Sequence, residues 1–299
     1  MTGPVAATPD YRQRFLFEYA NVRGEVIHLG GALRAVLERR SYPAPVARLL
    51  GEAMAASGLL SAVLKFSGTL ILQLQGKGPL TLLVASASHD RDLRAVARYG
   101  EDVPPGAAEP LERVTGGGHL AITIDPDDSR ERYQGIVTLE QTSLAECVDA
   151  YFAQSEQLPT RVWLACDGRS AAGLLLQRLP GHDHGDPDAW NRAEQLGSTI
   201  TGRELLELGT GEVVRRLFHE ETIRLFEPEP MRFHCHCSRE RLGNVIVGLG
   251  EDEAQDILAT QGMLEAECDF CGKAYRFDAV DLRQLFARGG TGGAGSTRH

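Results

Sequence analysis

The sequence predicts an α+β protein: an N-terminal domain of mixed sheet and helix (residues 1–178), a helical linker (179–231), a small C-terminal domain (232–288) and a tail (289–299). Three observations predict it. Through the first part, stretches of period two and stripes of helical period follow one another as hairpins and single helices, with no βαβ rhythm. In the second, short amphipathic stretches carry capping signals and many charges on narrow apolar stripes. In the third, four of the six cysteines fall in two tight pairs among few apolar residues.

Taken in order, residues 1–10 read as a loose arm. Residues 11–29 interleave Phe15, Phe17, Val22, Val26 and Ile27 with charges and read as extended chain. Gly30-Gly31 breaks this run, and 32–40 reads as a helix. Pro43 and Pro45 suit the opening of the next helix, whose Val46, Leu49, Leu50, Ala53 and Met54 share one face, the pattern of a core stripe. From Gly68 the period changes to two. Leu70, Leu72 and Leu74 alternate with Ile71, Gln73 and Gln75, Gly76-Lys77-Gly78-Pro79 turns the chain, and 80–85 closes a hairpin. Residues 90–99 read as a short helix and 101–118, rich in Pro and Gly, as a loop. Gly116-Gly117-Gly118 lacks the Lys-Ser/Thr and the helix of a phosphate-binding loop and reads as a plain turn. Residues 119–125 and 133–140 read as strands about an Asp/Pro turn. Ser143 and Glu146 have capping-box spacing before a helix that aligns Leu144, Cys147, Val148, Tyr151 and Phe152, which makes Cys147 a small core residue. Residues 161–166 and 171–177 read as strands, with Cys166 interpreted in the same way.

The breaker-rich stretch 180–187 marks a boundary. His182, Asp183 and His184 are metal-binding types, but adjacent residues on a loop have no fixed geometry, and they read as solvated. Asp188 suits the cap of a helix running to Leu196. Thr201 and Glu204 form a capping box before Leu205, Leu206 and Leu208, and Thr210 caps a third helix with Val213, Val214, Leu217 and Phe218. Helices this short fold only by laying their stripes on something larger, so 179–231 is expected to be marginally stable and docked on the first domain. Pro228 and Pro230 close it.

The C-terminal part is organised by Cys235-His236-Cys237 and, beyond residues 238–267, Cys268-Asp269-Phe270-Cys271-Gly272. Two close pairs on separate loops suit tetrahedral Zn²⁺, each loop supplying two thiolates at about 2.3 Å. Gly272 suits the tight knuckle under the second pair. His234 and His236 interleave the first pair, but four sulfurs already complete a tetrahedron. Residues 251–256 read as an acidic helix continued by Ile257 and Leu258. Tyr275 and Phe277 alternate on a short strand, and Asp278 caps a helix with Val280, Leu282, Leu285 and Phe286. This is too little apolar material to fold unaided, so a metal is expected to be required. One residue between Cys235 and Cys237 is an unusual spacing. A bond between them closes a small ring, and strained disulfides are more oxidising and readily reduced. Cys268 and Cys271 can also pair locally. Two readings stand side by side: a permanent structural zinc site, and a site that alternates between thiolates on zinc and short-range disulfides.

Composition narrows the function. A formal net charge of −10 argues against nucleic acid and anionic membranes as partners. No run approaches the ~18 apolar residues of a membrane span. Met1-Thr2-Gly3-Pro4-Val5 lacks the basic start and apolar core of a signal peptide, so the cytosol is the expected compartment. Cysteines in a non-exported chain favour metal or redox chemistry over a disulfide framework. Neither Gly-x-Ser-x-Gly nor His-Glu-x-x-His occurs, which argues against a hydrolase.

Cys235-His236-Cys237-Ser238-Arg239-Glu240-Arg241, the long spacer and Cys268-Asp269-Phe270-Cys271 resemble the zinc end of the 33 kDa chaperonin family, the redox-regulated heat-shock holdases of bacteria. The likeness extends upstream through residues 151–160, Leu217-Phe218-His219-Glu220-Glu221 with Phe226-Glu227-Pro228, Val22-Arg23-Gly24, and Lys65-Phe66 with Gln73, Gln75 and Gly76. It covers nearly the whole chain, and none of the four cysteines departs from it. The Gly-rich tail and the His-rich loop near His182 look like local variation. The resemblance implies an ATP-independent chaperone, not an enzyme. One Zn²⁺ per chain would be held by Cys235, Cys237, Cys268 and Cys271 in the reduced, inactive state. Oxidation would form Cys235–Cys237 and Cys268–Cys271 disulfides and release zinc. The linker would then unfold, the chain dimerise, and unfolding clients bind the linker and the N-terminal face it covers. Two rivals are weighed against this. A thiol oxidoreductase would use Cys268-x-x-Cys271 at a helix start in a βαβ setting, whereas Gly272 and a strand follow here. A constitutive zinc-ribbon binding module for nucleic acid is disfavoured by the acidic charge.

Overall fold

The computed structural model describes residues 10–127, 131–181 and 186–289. The expected arm before Asp10, part of the Asp/Pro turn, the loop residues His182, Asp183 and His184, and the tail beyond Gly289 lie outside the described residues. The chain divides between His234 and Cys235 into two compact units, and the architecture is α+β.

In the first unit β1 (Tyr11–Phe17) and β2 (Val22–Leu29) form a hairpin, so the extended reading of 11–29 resolves into two strands. After α1 (Gly31–Leu37) and α2 (Ala44–Val63) come β3 (Gly68–Gly76), β4 (Leu80–Ser88), β5 (Asp92–Tyr99), α3 (Leu111–Thr115), β6 (Gly118–Pro126) and β7 (Tyr133–Thr138). Then follow α4 (Leu144–Tyr151), extended by a wider turn over Phe152–Glu156, and β8 (Thr160–Cys166) and β9 (Ala171–Arg178). Residues 179–231 contribute α5 (Ala189–Gly197), α6 (Gly202–Glu207), α7 (Thr210–Phe218), β10 (Ile223–Leu225) and β11 (Glu229–Pro230), and β12 (Arg232–Phe233), expected in the C-terminal domain, pairs with β5 of the first unit. One sheet runs β10-β1-β2-β9-β8, with β11 also on β1, and the other β12-β5-β4-β3-β6-β7; β12 is parallel to β5 and the remaining pairs are antiparallel.

Helix α2 packs against both sheets, which explains its burial on nearly every side: Leu49, Leu50, Ala53, Met54, Leu59 and Leu60 are all closed to solvent. Each such Leu or Met stabilises the fold by roughly 1.5–3 kcal/mol. The expectation that no segment approaches a membrane span needs correction here. By length and composition α2 qualifies, but 78% of its apolar window is buried inside the fold. A helix enclosed by two sheets and a helix enclosed by lipid have the same composition.

Two further expectations are corrected. Within 90–99, Asp92–Tyr99 form strand β5 and not a helix, and 101–118 is interrupted by α3. The alanines and arginines of β5 favour a helix intrinsically. Pairing with β4 prevails, because Leu93, Ala95 and Ala97 alternate into the core and Arg91 turns at φ +68° to bring the strand back. The triple glycine is a packed turn. Gly116, Gly117 and Gly118 have φ of +63°, +79° and +125°, and Lys77 and Gly78 donate their amides to the Thr115 carbonyl at 2.7 and 2.6 Å. A Cβ on Gly118 would lie 1.9 Å from the Gln75 carbonyl oxygen.

Strand alternation in the first sheet sends Ile27, Leu29 and Leu175 into the core that includes α2. It sends Phe15, Phe17, Val22, Val26, Leu174 and Leu176 into a second cluster, which Ala193, Leu205, Val213, Leu217 and Phe218 of the linker helices complete. The Phe218 ring lies 5.2 Å from that of Phe17 and 5.6 Å from that of Phe15. The Thr201–Glu204 capping box is reciprocal, at 3.1 and 3.0 Å. At α7 the cap is Gly209, not Thr210: the Glu212 carboxylate accepts from the Gly209 amide at 2.9 Å, while the Thr210 hydroxyl is buried against Gln13. At α4 Ser143 caps the Glu146 amide, but Glu146 reaches back to Thr142, so the box is only half formed.

The second unit contains α8 (Arg239–Leu249), α9 (Glu251–Gln261), β13 (Leu264–Glu267), β14 (Ala274–Phe277) and α10 (Ala279–Gly289). Its core is Ile246, Ala254, Leu264, Tyr275, Phe277 and Leu282. Asp278 caps α10 through the Val280 and Asp281 amides, but Val280 itself is 51% exposed and lies off the apolar stripe expected to include it.

Candidate metal centre

The four expected site cysteines come together. Cys235 and Cys237 lie in the segment before α8, where Ser238 caps the helix by accepting from the Arg241 amide at 3.2 Å. Cys268 and Cys271 lie in the turn between β13 and β14. That turn closes when Gly272 and Cys271 donate to the Cys268 carbonyl at 2.8 and 3.3 Å and Cys268 donates to the Lys273 carbonyl at 3.0 Å. Gly272 sits at φ +72°, where a side chain is strained.

All four sulfurs lie within 4.8 Å of one another. The closest approaches run between the loops, 3.4 Å for Cys237–Cys271 and 3.7 Å for Cys235–Cys268. A tetrahedron with Zn–S of 2.3 Å has an edge of about 3.8 Å, so the donor set fits a tetrahedral S₄ ion without rearranging the loops. The Tyr275 hydroxyl lies 3.3 Å from Cys237 Sγ and donates to the Cys237 carbonyl at 3.2 Å, orienting the first loop.

The thiols are not equivalent. Burial raises Cys237, but hydrogen bonds from Tyr275 and the other three cysteines outweigh it and bring the thiol down to about 7. Burial pushes Cys271 up to about 12 and raises Cys235. Hydrogen bonding thus favours the thiolate at Cys237, whereas burial disfavours it at Cys235 and Cys271.

Cys147 and Cys166 stand apart in the first unit, pushed up by burial to about 11 and about 12, as inert core thiols should be. His234 turns to the first unit instead, its Nδ1 3.0 Å from Asp92 Oδ2, with Arg232 Nε 2.5 Å from the other carboxylate oxygen. Because Cys268 sits in a turn between strands and not at a helix N-terminus, the Cys-x-x-Cys pair lacks the setting of a thiol oxidoreductase. Sequence reasoning missed α8 and Tyr275's approach to Cys237. Ser238 before Leu242 and Ile246 was a signal for the helix, but nothing in the sequence places the tyrosine hydroxyl.

The family model described as Hsp33 protein matches residues 10–278. The 33 kDa chaperonin of Azotobacter vinelandii is 48% identical over 296 residues, covering 97% of this chain and 99% of that relative. The 33 kDa chaperonin of Nitrosococcus oceani is 48% identical over 290 residues, with the same coverage. The crystal structure of the 33 kDa chaperonin (heat shock protein 33 homolog) of Thermotoga maritima shares the fold. Its TM-score is 0.78 at 20% identity, covering 94% of this chain and 99% of that one. With a match from Asp10 to Asp278 and relatives nearly half identical along their whole length, the chain belongs to the Hsp33 family of chaperones.

Proposed function

We propose that the chain is a redox-switched, ATP-independent holdase. The observation that carries the reading is the convergence of Cys235, Cys237, Cys268 and Cys271 at tetrahedral spacing in a unit whose remaining core is very small. Reduced, the four thiolates would hold one Zn²⁺, which supplies much of the folding energy of residues 235–289. In that state the linker stays docked and the chaperone is inactive.

Oxidation reverses this. A thiolate attacks peroxide to give a sulfenic acid and hydroxide, and the neighbouring thiolate displaces a second hydroxide to close a disulfide. Each pair, Cys235–Cys237 and Cys268–Cys271, thus loses two electrons to the oxidant. Two disulfides leave no thiolate for the ion, and the small unit loses its main support. The linker helices hold to the first sheet by one narrow face each, so they are poised to follow. Their departure would uncover Phe15, Phe17, Val22 and Val26, an apolar patch able to bind non-native chains. The active form is proposed to be a cytoplasmic homodimer whose partners are unfolding proteins, with no role for nucleic acid or membrane.

The test is zinc content and suppression of citrate synthase aggregation, measured on one sample before and after peroxide at raised temperature. Loss of one zinc per chain together with gain of suppression is expected. Turnover in an insulin-reduction assay without aggregation suppression would favour an oxidoreductase.

A further inference from the structure

The linker covers more than the sheet face. After α7 the chain returns along β1 as a strap over residues 223–230, whose two short strands lie antiparallel to that edge: Phe17↔Ile223, Leu16↔Arg224 and Phe15↔Leu225, then Arg12↔Glu229 and Tyr11↔Pro230. Outside these strands the Phe226 and Met231 amides donate to the Arg14 and Asp10 carbonyls, and the Glu18 amide to the Thr222 carbonyl, each at 2.9 Å. Even-numbered residues of β1 therefore aim their main chain outward. With the strap gone, β1 is a seven-residue edge with β2 on its other side only.

The strap is a poor occupant of that edge. Pro228 and Pro230 have no amide to donate, and pairing lapses between the two short strands, where a Gln13 side chain substitutes by donating to the Phe226 carbonyl at 2.8 Å. Leu225 and Phe226 remain 43% and 38% exposed. A cleft of about 720 Å³ opens beside the lapse, lined by Tyr11, Gln13, Thr210, Leu225 and Pro228. One specific contact holds the far end. Arg12, its side chain 9% exposed, is fixed by the Gly58 carbonyl and Ser61 hydroxyl and presents its remaining donors to the Glu229 carboxylate at 2.7 Å.

We propose that the outer edge of β1 is a pairing site for extended segments of unfolded chains, captured by strand addition when the 223–230 strap releases it. This rests on the holdase reading and names how that surface recognises its clients. A proline-free segment can pair along the full length of β1, where the strap's pairing lapses between its two short strands, so a client can hold the released edge against the strap's return. Apolar residues suit the positions of Ile223 and Leu225, and a carboxylate at the position of Glu229 meets Arg12. Main-chain pairing is tolerant of sequence, as a holdase requires.

The probe is a fluorescein-labelled peptide of residues 223–230 carrying Pro228→Val and Pro230→Val, set against the same peptide N-methylated at the positions of Arg224 and Phe226. Binding to the oxidised, heat-activated full-length protein is read by anisotropy, and hydrogen exchange of fragments covering 11–18 by mass spectrometry. The unmethylated peptide is expected to bind at least tenfold more tightly, and a Glu229→Lys version several-fold more weakly. Exchange over 11–18 should speed up on activation and slow again with peptide. Equal binding of the N-methylated peptide, or fast exchange over 11–18 in the complex, overturns the proposal. So does slowing of that exchange by dimerisation alone with no peptide bound, which would give the edge to a second copy of this chain. Citrate synthase suppression on the same sample separates the two claims. If it persists in any of these outcomes, only the strand-addition site fails. If oxidised protein suppresses nothing, the holdase reading fails and the site with it.

Discussion

The two units of this chain solve the problem of stability differently. Before His234, a helix lies against two sheets, and side chains from Ile27 to Leu175 pack into one continuous core. After it, the core is only Ile246, Ala254, Leu264, Tyr275, Phe277 and Leu282, with four sulfurs gathered beside it. Burial stabilises the first whatever the oxidant. On the proposed reading, the second depends on the covalent state of its four cysteines. The linker helices fall between these extremes, with a real apolar face but only one, laid on Phe15, Phe17 and Val22. Under the proposed switch, such a chain would lose its last part, and then residues 179–231, while keeping the scaffold that would carry clients.

The strongest way to break this comparison is Cys268→Ser. Zinc affinity should fall on the order of a hundredfold or more, and amides of 235–289 should lose protection while those of β3, β4 and β6 keep theirs. A second unit that stays protected without metal would mean its small core suffices. Next comes Phe218→Ala, which removes a ring in contact with both Phe15 and Phe17. It should cost linker docking roughly 3 kcal/mol and let reduced, zinc-loaded protein suppress aggregation partially, with zinc affinity unchanged. Limited proteolysis within α5–α7 reads the same event, and no change in either would place the control elsewhere.

Smaller effects sharpen the picture. Burial holds the Asp149 carboxyl up at about 7, only partly offset by Arg161, against an ordinary value of 3.8. The folded state therefore keeps a proton that the unfolded chain releases. The resulting stability is complete below the ordinary value and is lost as pH rises through 7. From pH 6 to pH 8 the first unit should lose about 1.4 kcal/mol, and Asp149→Asn should flatten that slope. Arg161 also bonds Glu194 of α5 at 2.6 Å, so the linker is the place to look for the loss. The smallest effect is Thr201→Ala, about 1 kcal/mol, seen as faster exchange in α6 alone.

Much of this was legible in the sequence, and the failures have physical causes. Four cysteines in two pairs announce a centre because thiolate spacing is dictated by the ion they suit. The stripe from Val46 to Met54 was visible because burial demands periodicity. Strand β5 was not, because its alanines and arginines favour a helix locally and only pairing with β4 overrules them. The α7 cap was misplaced by one residue because Thr210 looks like a cap, and only the fold shows its hydroxyl committed to Gln13. Strands β10–β12 were illegible as well, being two or three residues long and defined by partners more than a hundred positions away.

The most direct test of the coupling between sulfur chemistry and chaperoning is a hypochlorite titration in which released zinc and suppression of aggregation are followed in the same tube. The expected result is that both rise together, reaching one zinc per chain when suppression is complete, and that both return to baseline with dithiothreitol and added zinc. Full suppression by protein that still holds all of its metal would contradict it.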